Sequence, residues 1–121
     1  AMKHANTRIA FGKPISRFQL NSLKITEMCI KLTNMRNMLY EAAWMADSNG
    51  GDFDPAMAAM CKYYASENAV WVTNKALQIH GGYGYMRDYP IERMYRDARI
   101  VPIYEGTSEI QKVVIARELL K

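Results

Sequence analysis

At 121 residues the chain is a single domain by size, long enough to bury a core yet small for an enzyme that must also house a large cofactor. Half of it is hydrophobic and 23% charged, which excludes a disordered chain; no apolar run approaches the roughly 18–20 residues of a membrane span, and no charged start leads into a signal-like apolar stretch, so the cytoplasm is the expected compartment. The net charge of +4 comes from sixteen Lys and Arg scattered among twelve acids, not from a basic stripe, which argues against nucleic acid as a partner.

Nine methionines, many alanines, four prolines and seven glycines gathered mostly at 50–51 and 81–84 predict a helical chain. "AMKHANTRIAFGKPI" reads as the tail of a helix running into a turn. From about Ser16 to Ser48, Met28, Leu32, Met35, Leu39, Ala42 and Ala46 recur alternately four and three apart, the spacing of a bundle seam. "SNGGDFDP" breaks this pattern: paired glycines stop one helix, and Asp54 before Pro55 is an N-cap followed by proline at the first helical position. The next helix runs to about His80 with a small-residue stripe of Ala58, Cys61, Ala65, Ala69, Val72, Ala76 and Ile79. Pro90 opens a short helix with Glu92 in its first turn and Arg99 at its end, as the helix dipole prefers. After "IVPIYEG" a last helix begins near Thr107–Ser108, where Ser108 and Gln111 have capping-box spacing, and carries Ile110, Val113, Val114 and Leu120 on its apolar face. No strand shows convincing alternation. The expected fold is all-α, an antiparallel up-and-down bundle of four helices joined by short loops.

Few residues carry chemistry. Cys29 and Cys61 lie thirty-two positions apart inside helical patterns without CxxC spacing, so both are expected as reduced thiols. His4 and His80 lack partners at metal-ligand spacing, and no metal site is expected. "GGYGY" at 81–85 follows a helix instead of a strand and matches neither GxGxxG nor GxxxxGK[ST], which makes it a helix-ending turn whose glycines let backbone approach a ligand or a neighbouring subunit. Tyr83, Tyr85, Tyr89, Tyr95 and Tyr104 crowd the C-terminal third, as packing or interface residues. Glu105 is the unusual one. Val101, Pro102, Ile103 and Tyr104 would desolvate its carboxylate and make it more basic, Gly106 leaves room for a substrate, and the N–H groups of the following helix start, Thr107 to Gln111, offer a positive end to an anion while pulling Glu105 back toward its charged form. The residues alone leave that balance open.

"RIAFGKPI", "ALQIHGGYGY" and "YPIERMYRDARIVPIYEGTSEIQ", in order across essentially the whole chain, resemble the C-terminal helical domain of the acyl-CoA dehydrogenases. The resemblance implies an FAD-dependent oxidoreductase that introduces an α,β double bond into an acyl-CoA thioester. Glu105 stands at the family's catalytic glutamate, the base that takes the α-proton, and Gly106 lines the substrate. It further implies that Thr107, Ser108 and Glu109 meet FAD at the helix start, and that Arg8, Gln19 and the backbone of Gln78, Ile79, His80, Gly81 and Gly82 reach the FAD of a neighbouring subunit in a homo-oligomer, a dimer or more typically a homotetramer. Electron-transferring flavoprotein is the implied redox partner.

The family's N-terminal helical domain and middle β-domain are absent from residues 1–121, so this stretch by itself is expected to bind little flavin and to be inactive. "RFQ", "RNMLYEAAW" and "AAMCKY" also resemble a crotonobetainyl-CoA-type reductase of the same family working in the opposite direction, and an acyl-CoA oxidase is a weaker relative. Outside this chemistry stands a non-catalytic helical oligomerisation module, which has no use for Glu105 beside Gly106.

Overall fold

A computed structural model describes all residues, 1–121. Helix α1 (Met2–Thr7) leads into a two-residue hairpin, β1 (Ile9–Ala10) paired antiparallel with β2 (Lys13–Pro14), then a 3-10 turn at Ile15–Arg17 and the long helix α2 (Gln19–Ser48). Helix α3 (Pro55–His80), the single-turn α4 (Gly82–Tyr85), α5 (Ile91–Ile100) and α6 (Ser108–Leu119) complete the chain. The expected all-α bundle is what forms, with α2, α3, α5 and α6 as its principal helices. The hairpin is absent from the sequence reading because two-residue strands are too short to show alternation. It is made by Phe11 and Gly12, both at positive φ (51° and 76°), the signature of a tight hairpin turn.

Local signals set the helix boundaries. Gly50 and Gly51 both take positive φ after α2, and Asp54 Oδ1 accepts from the N–H groups of Ala56 (2.8 Å) and Met57 (3.2 Å) to start α3. Pro55 occupies the first position of α3, where no intrahelical N–H is needed. Helix α6 departs from expectation by one residue: its cap is Thr107, whose hydroxyl accepts from Ile110 N–H, and Ser108 is the first helical residue. That shift frees the Ser108 hydroxyl for a tertiary contact.

The bundle is built around α3. Helix α2 packs antiparallel along one side, and α5 and α6 follow one another along another, each contacting α3. Ile91 of α5 meets Ala76 and Ile79, while the start of α6 lies against Lys62 and Glu67, one turn-and-a-half apart on α3. The α5–α6 segment is therefore a single antiparallel track along α3, broken at 101–107. This explains why the stripe read on α3 is only half of what it buries: Ala76 and Ile79 lie in the core as expected, but Ala59, Ser66 and Asn68 are buried too. Burying polar residues requires partners. Ser66 Oγ donates to Tyr63 O, Asn68 Nδ2 donates to Tyr64 O (2.8 Å), and Asn68 Oδ1 accepts from Lys31 Nζ (2.7 Å).

The core proper is small: Ala5, Met28, Ala76, Ile79 and Ile91. On α2 the predicted seam is buried at its ends, Met28 and Ala46, while Leu32 and Leu39 are 46% and 58% exposed, because α3 opposes them with the short side chains of Ala58, Cys61 and Ala65. A groove of about 620 Å³ remains there. No helix is long and apolar enough to cross a membrane.

Gly84 marks the tightest approach, since a Cβ on it would lie 2.5 Å from the backbone oxygen of Leu77, whereas a Cβ on Gly82 meets open space. Gly84→Ala should cost roughly 1–3 kcal/mol in urea denaturation. Gly82→Ala should stay within about 0.5 kcal/mol, and equal losses in the two variants would contradict the packing described.

Candidate functional site

The residues singled out in the sequence fall into two groups on α3. Lys62, facing the 101–107 segment, and Ile79, facing α1, are seventeen positions apart, roughly 25 Å along a helix.

The first group is the segment carrying Glu105. Ile103 and Tyr104 N–H both return to Ile100 O, so α5 ends in a tight turn, and Ser108 N–H donates to Pro102 O (3.0 Å), pinching the loop at its base. Glu105 then takes φ +51° and Gly106 φ +92°. Glycine adopts this conformation freely, but for glutamate it costs on the order of 1–2 kcal/mol. What opposes that cost is a set of donors on the loop's own carbonyls. Lys62 Nζ donates to Gly106 O at 2.6 Å, and Gln111 Nε2 donates to both Glu105 O and Gly106 O at 3.3 Å. A hydrogen bond from a charged donor contributes on the order of 1.5–3 kcal/mol, enough to hold the bend.

Ser108 Oγ, at 2.5 Å from Glu67 Oε1, ties the start of α6 to α3. The helix start does not present the open row of N–H groups that the sequence suggests. Ser108 N–H is taken by Pro102 O, Ile110 N–H by the Thr107 hydroxyl and Gln111 N–H by Thr107 O. The Glu109 carboxyl is held below its ordinary range, first by its own backbone N–H and then by the Thr107 hydroxyl, so a negative charge already sits at the positive end of α6. The N–H groups of Glu105, Gly106 and Thr107 meet no acceptor within the chain. Glu105 itself is exposed: Pro102 is buried, but Ile103 and Tyr104 are themselves half open to solvent. The desolvation expected from its four apolar neighbours is therefore not achieved within this chain, because the two nearest of them are themselves about half open to solvent.

The second group lines a cleft of about 770 Å³ at the junction of α1 with the end of α3. Arg8, Ile79, His80, Gly81 and Gly82 all reach it. Gly81 ends α3 at φ +60°, with open space where a Cβ would stand. The Arg8 guanidinium lies over the Tyr83 ring, 5.1 Å from its centroid, and makes no ion pair within the chain. His4 and His80 stack at 4.3 Å, and His80 Nδ1 lies 2.7 Å from Ala76 O. Tyr89 sets its ring edge-on to both histidines. Gln78 is exposed with its carbonyl taken by Gly81 N–H (3.1 Å), and Gln19, exposed at the start of α2, is not among the cleft residues.

Sequence reasoning missed Lys62 and Glu67. Their contacts span 44 and 41 residues, a separation at which no local pattern carries a signal. No group of acids, histidines and cysteines is arranged to hold a metal ion, and Cys29 and Cys61 are both free.

An all-α bundle with a left-handed Glu-Gly bend at the head of its last helix belongs to a defined class: the family model for the C-terminal domain of acyl-CoA dehydrogenases matches residues 1–120, and the chain belongs to that family. Among its relatives, acryloyl-CoA reductase (NADH) of Anaerotignum propionicum is 56% identical over the whole chain, which spans 30% of that protein. A caffeyl-CoA reductase–Etf complex subunit of Acetobacterium woodii is 46% identical over the whole chain, covering 31% of its length. The solved structure of butyryl-CoA dehydrogenase from Megasphaera elsdenii superposes with a TM-score of 0.93 at 42% identity, over 99% of this chain and 31% of that one. The chain thus spans about a third of the proteins it matches.

The cleft geometry has a readable pH signature. Burial, and next the neighbouring His80, lower the His4 pKa below its ordinary 6.5. A group depressed in the folded state stabilises the fold above its unfolded pKa, and that contribution is lost as pH falls from about 6.5 through the folded value. The imidazole proton of His4, followed by NMR, should therefore titrate below 6.5, and His80→Asn should move the midpoint upward. A midpoint at or above 6.5 in the unmodified protein would contradict the stacked arrangement.

Proposed function

We propose that the protein containing this domain is an FAD-dependent oxidoreductase acting on the α,β carbon–carbon bond of acyl-CoA thioesters, with Glu105 as the base that removes the α-proton. The observation that carries this reading is the bend at Glu105–Gly106: an exposed carboxylate on a strained, multiply tethered turn, beside three N–H groups without acceptors. Strain of this kind persists where surrounding contacts over-determine it, and it concentrates at sites of chemistry.

The chain's own residues supply the following. The Glu105 carboxylate takes the α-proton, which the thioester carbonyl has acidified. The Glu105 N–H donates to that carbonyl oxygen as negative charge develops there, a preorganised dipole that does not have to turn during the reaction. Gly106 keeps the approach to the α-carbon open, and a side chain there would also collide with Gln111. FAD, when bound, accepts the β-hydrogen as hydride.

The residues present fit a flavin nucleotide in two places. At the cleft, Arg8 offers an unpaired planar cation for a diphosphate, and the backbone from Gln78 through Gly82 can be approached closely because Gly81 and Gly82 leave open space. At the loop, Thr107 and Glu109 would stand beside a bound flavin and Ser108 would act through the helix start it anchors, its hydroxyl and N–H being taken by Glu67 and Pro102; the charge on Glu109 suits a neutral ring system better than a phosphate. The two groups lie too far apart along α3 to serve one end of one cofactor, which supports two FAD molecules shared across a homo-oligomer, with Arg8, Gln19 and residues 78–82 reaching the neighbour's. Electron-transferring flavoprotein is the proposed redox partner, in keeping with the Etf complex of one relative.

The same geometry runs in reverse: a protonated Glu105 returns its proton to the α-carbon of an enoyl-CoA. Two relatives named as reductases, at 56% and 46% identity, favour that direction as the second reading.

Glu105→Gln in the full-length protein tests the assignment in either direction. It should lower turnover by roughly 10²–10⁴-fold while leaving flavin content unchanged. Wild-type turnover in that variant rules out Glu105 as the base. Whether acyl-CoA bleaches the oxidised flavin faster than enoyl-CoA recolours the reduced one decides between the two directions.

A further inference from the structure

We propose that Lys62 is a positioning residue for the reaction: its ammonium group, seated on the Gly106 carbonyl, fixes the left-handed bend and with it the reach of the Glu105 carboxylate and the aim of the Glu105 N–H. The proposal rests on Glu105 being the base.

Lys62 is half-buried in the first third of α3, the most enclosed helix of the bundle, and reaches out of it to a loop 44 residues away. Its donor–acceptor distance of 2.6 Å is short, as for a charge-assisted hydrogen bond, and its acceptor belongs to the residue directly after the proposed base. No carboxylate pairs with Lys62, so its charge is spent on this one carbonyl. The second donor to the same oxygen, Gln111 Nε2, comes from α6 and also reaches Glu105 O. The bend is thus gripped from α3 and from α6. Removing the grip from α3 frees two consecutive residues at positive φ to relax toward the ordinary right-handed region, which swings the Glu105 side chain and its N–H together. A positive charge on the Gly106 carbonyl also polarises the peptide group it belongs to, whose N–H is that of Thr107 and has no acceptor in the chain. Ser108 bonded to Glu67 secures the far end of the loop on α3, so the loop keeps its place when Lys62 is changed while the bend itself does not.

The test uses the full-length protein and the exchange of the α-proton of butyryl-CoA with deuterium from solvent, which reports on the base without requiring the electron acceptor. Lys62→Met should slow exchange per folded, flavin-loaded molecule roughly ten- to a hundredfold, the loss that a displacement near 1 Å produces, with flavin content and butyryl-CoA affinity close to the parent. Lys62→Arg, which retains a charged donor, should recover most of the rate. A purely structural lysine would instead lower the melting temperature and leave the exchange rate of the folded fraction intact, and that result overturns the proposal. Should Lys62→Met fail to fold, Gln111→Leu carries the test, since it releases the same carbonyl from the other side: slowed exchange at unchanged flavin content supports the clamp, and the parent rate overturns it. Glu105→Gln is run alongside. Exchange that persists there removes the base assignment itself; exchange that vanishes there but is unchanged in Lys62→Met removes only the clamp.

Discussion

Two other helical tracks, α2 and the α5–α6 segment, pack on the single helix α3, and the placement of everything else follows from that double contact. Ala58, Cys61 and Ala65 face α2, while Lys62 and Glu67 meet the α5–α6 track. Because α5 and α6 share a single track, the chain between them has to break helical geometry while staying against α3. The break is where Glu105 sits. A residue on a helix would have had its N–H consumed by the ladder; on the broken segment, three consecutive N–H groups remain for a ligand.

Keeping such a break in one conformation requires donors for its carbonyls and anchors for its ends. Lys62 and Gln111 supply the donors, Ser108 N–H on Pro102 O closes the base, and Ser108 Oγ on Glu67 fastens the exit. The one-residue difference in the cap of α6 matters here. With Thr107 as the cap, Ser108 points its hydroxyl at α3 instead of at its own helix. The same turn that strains Glu105 thus positions it, and the strain is offset by contacts that cross the bundle rather than by local ones.

The exposed apolar residues of α2, among them Leu20, Ile30, Leu39 and Trp44, set against a core of five residues, mean that this domain leaves much of its apolar surface unburied within its own chain. Exposed apolar area of this extent marks contact surfaces. In a chain spanning about a third of its relatives, the solvation of Glu105 is open to the same influence.

The helices and their ends were legible in the residues themselves: Gly50–Gly51, Asp54–Pro55, Gly81 and the Thr107–Ser108 start all act through local backbone geometry, which a sequence states directly. So was the family, because "IYEGTSEIQ" and "ALQIHGGYGY" stand in the family's order along a chain that its C-terminal-domain model matches over residues 1–120. Three things were decided by the tertiary structure alone. The second buried face of α3 was invisible because its members include Ser66 and Asn68, polar residues that become interior only when partners elsewhere in the fold satisfy them. The exposure of Glu105 depends on how far the packed fold covers its apolar neighbours, and Ile103 and Tyr104 stay about half open, a matter of packing and not of composition. The grip of Lys62 on Gly106 joins residues 44 positions apart, and a contact at that range exists only once α3 and the α5–α6 track have packed.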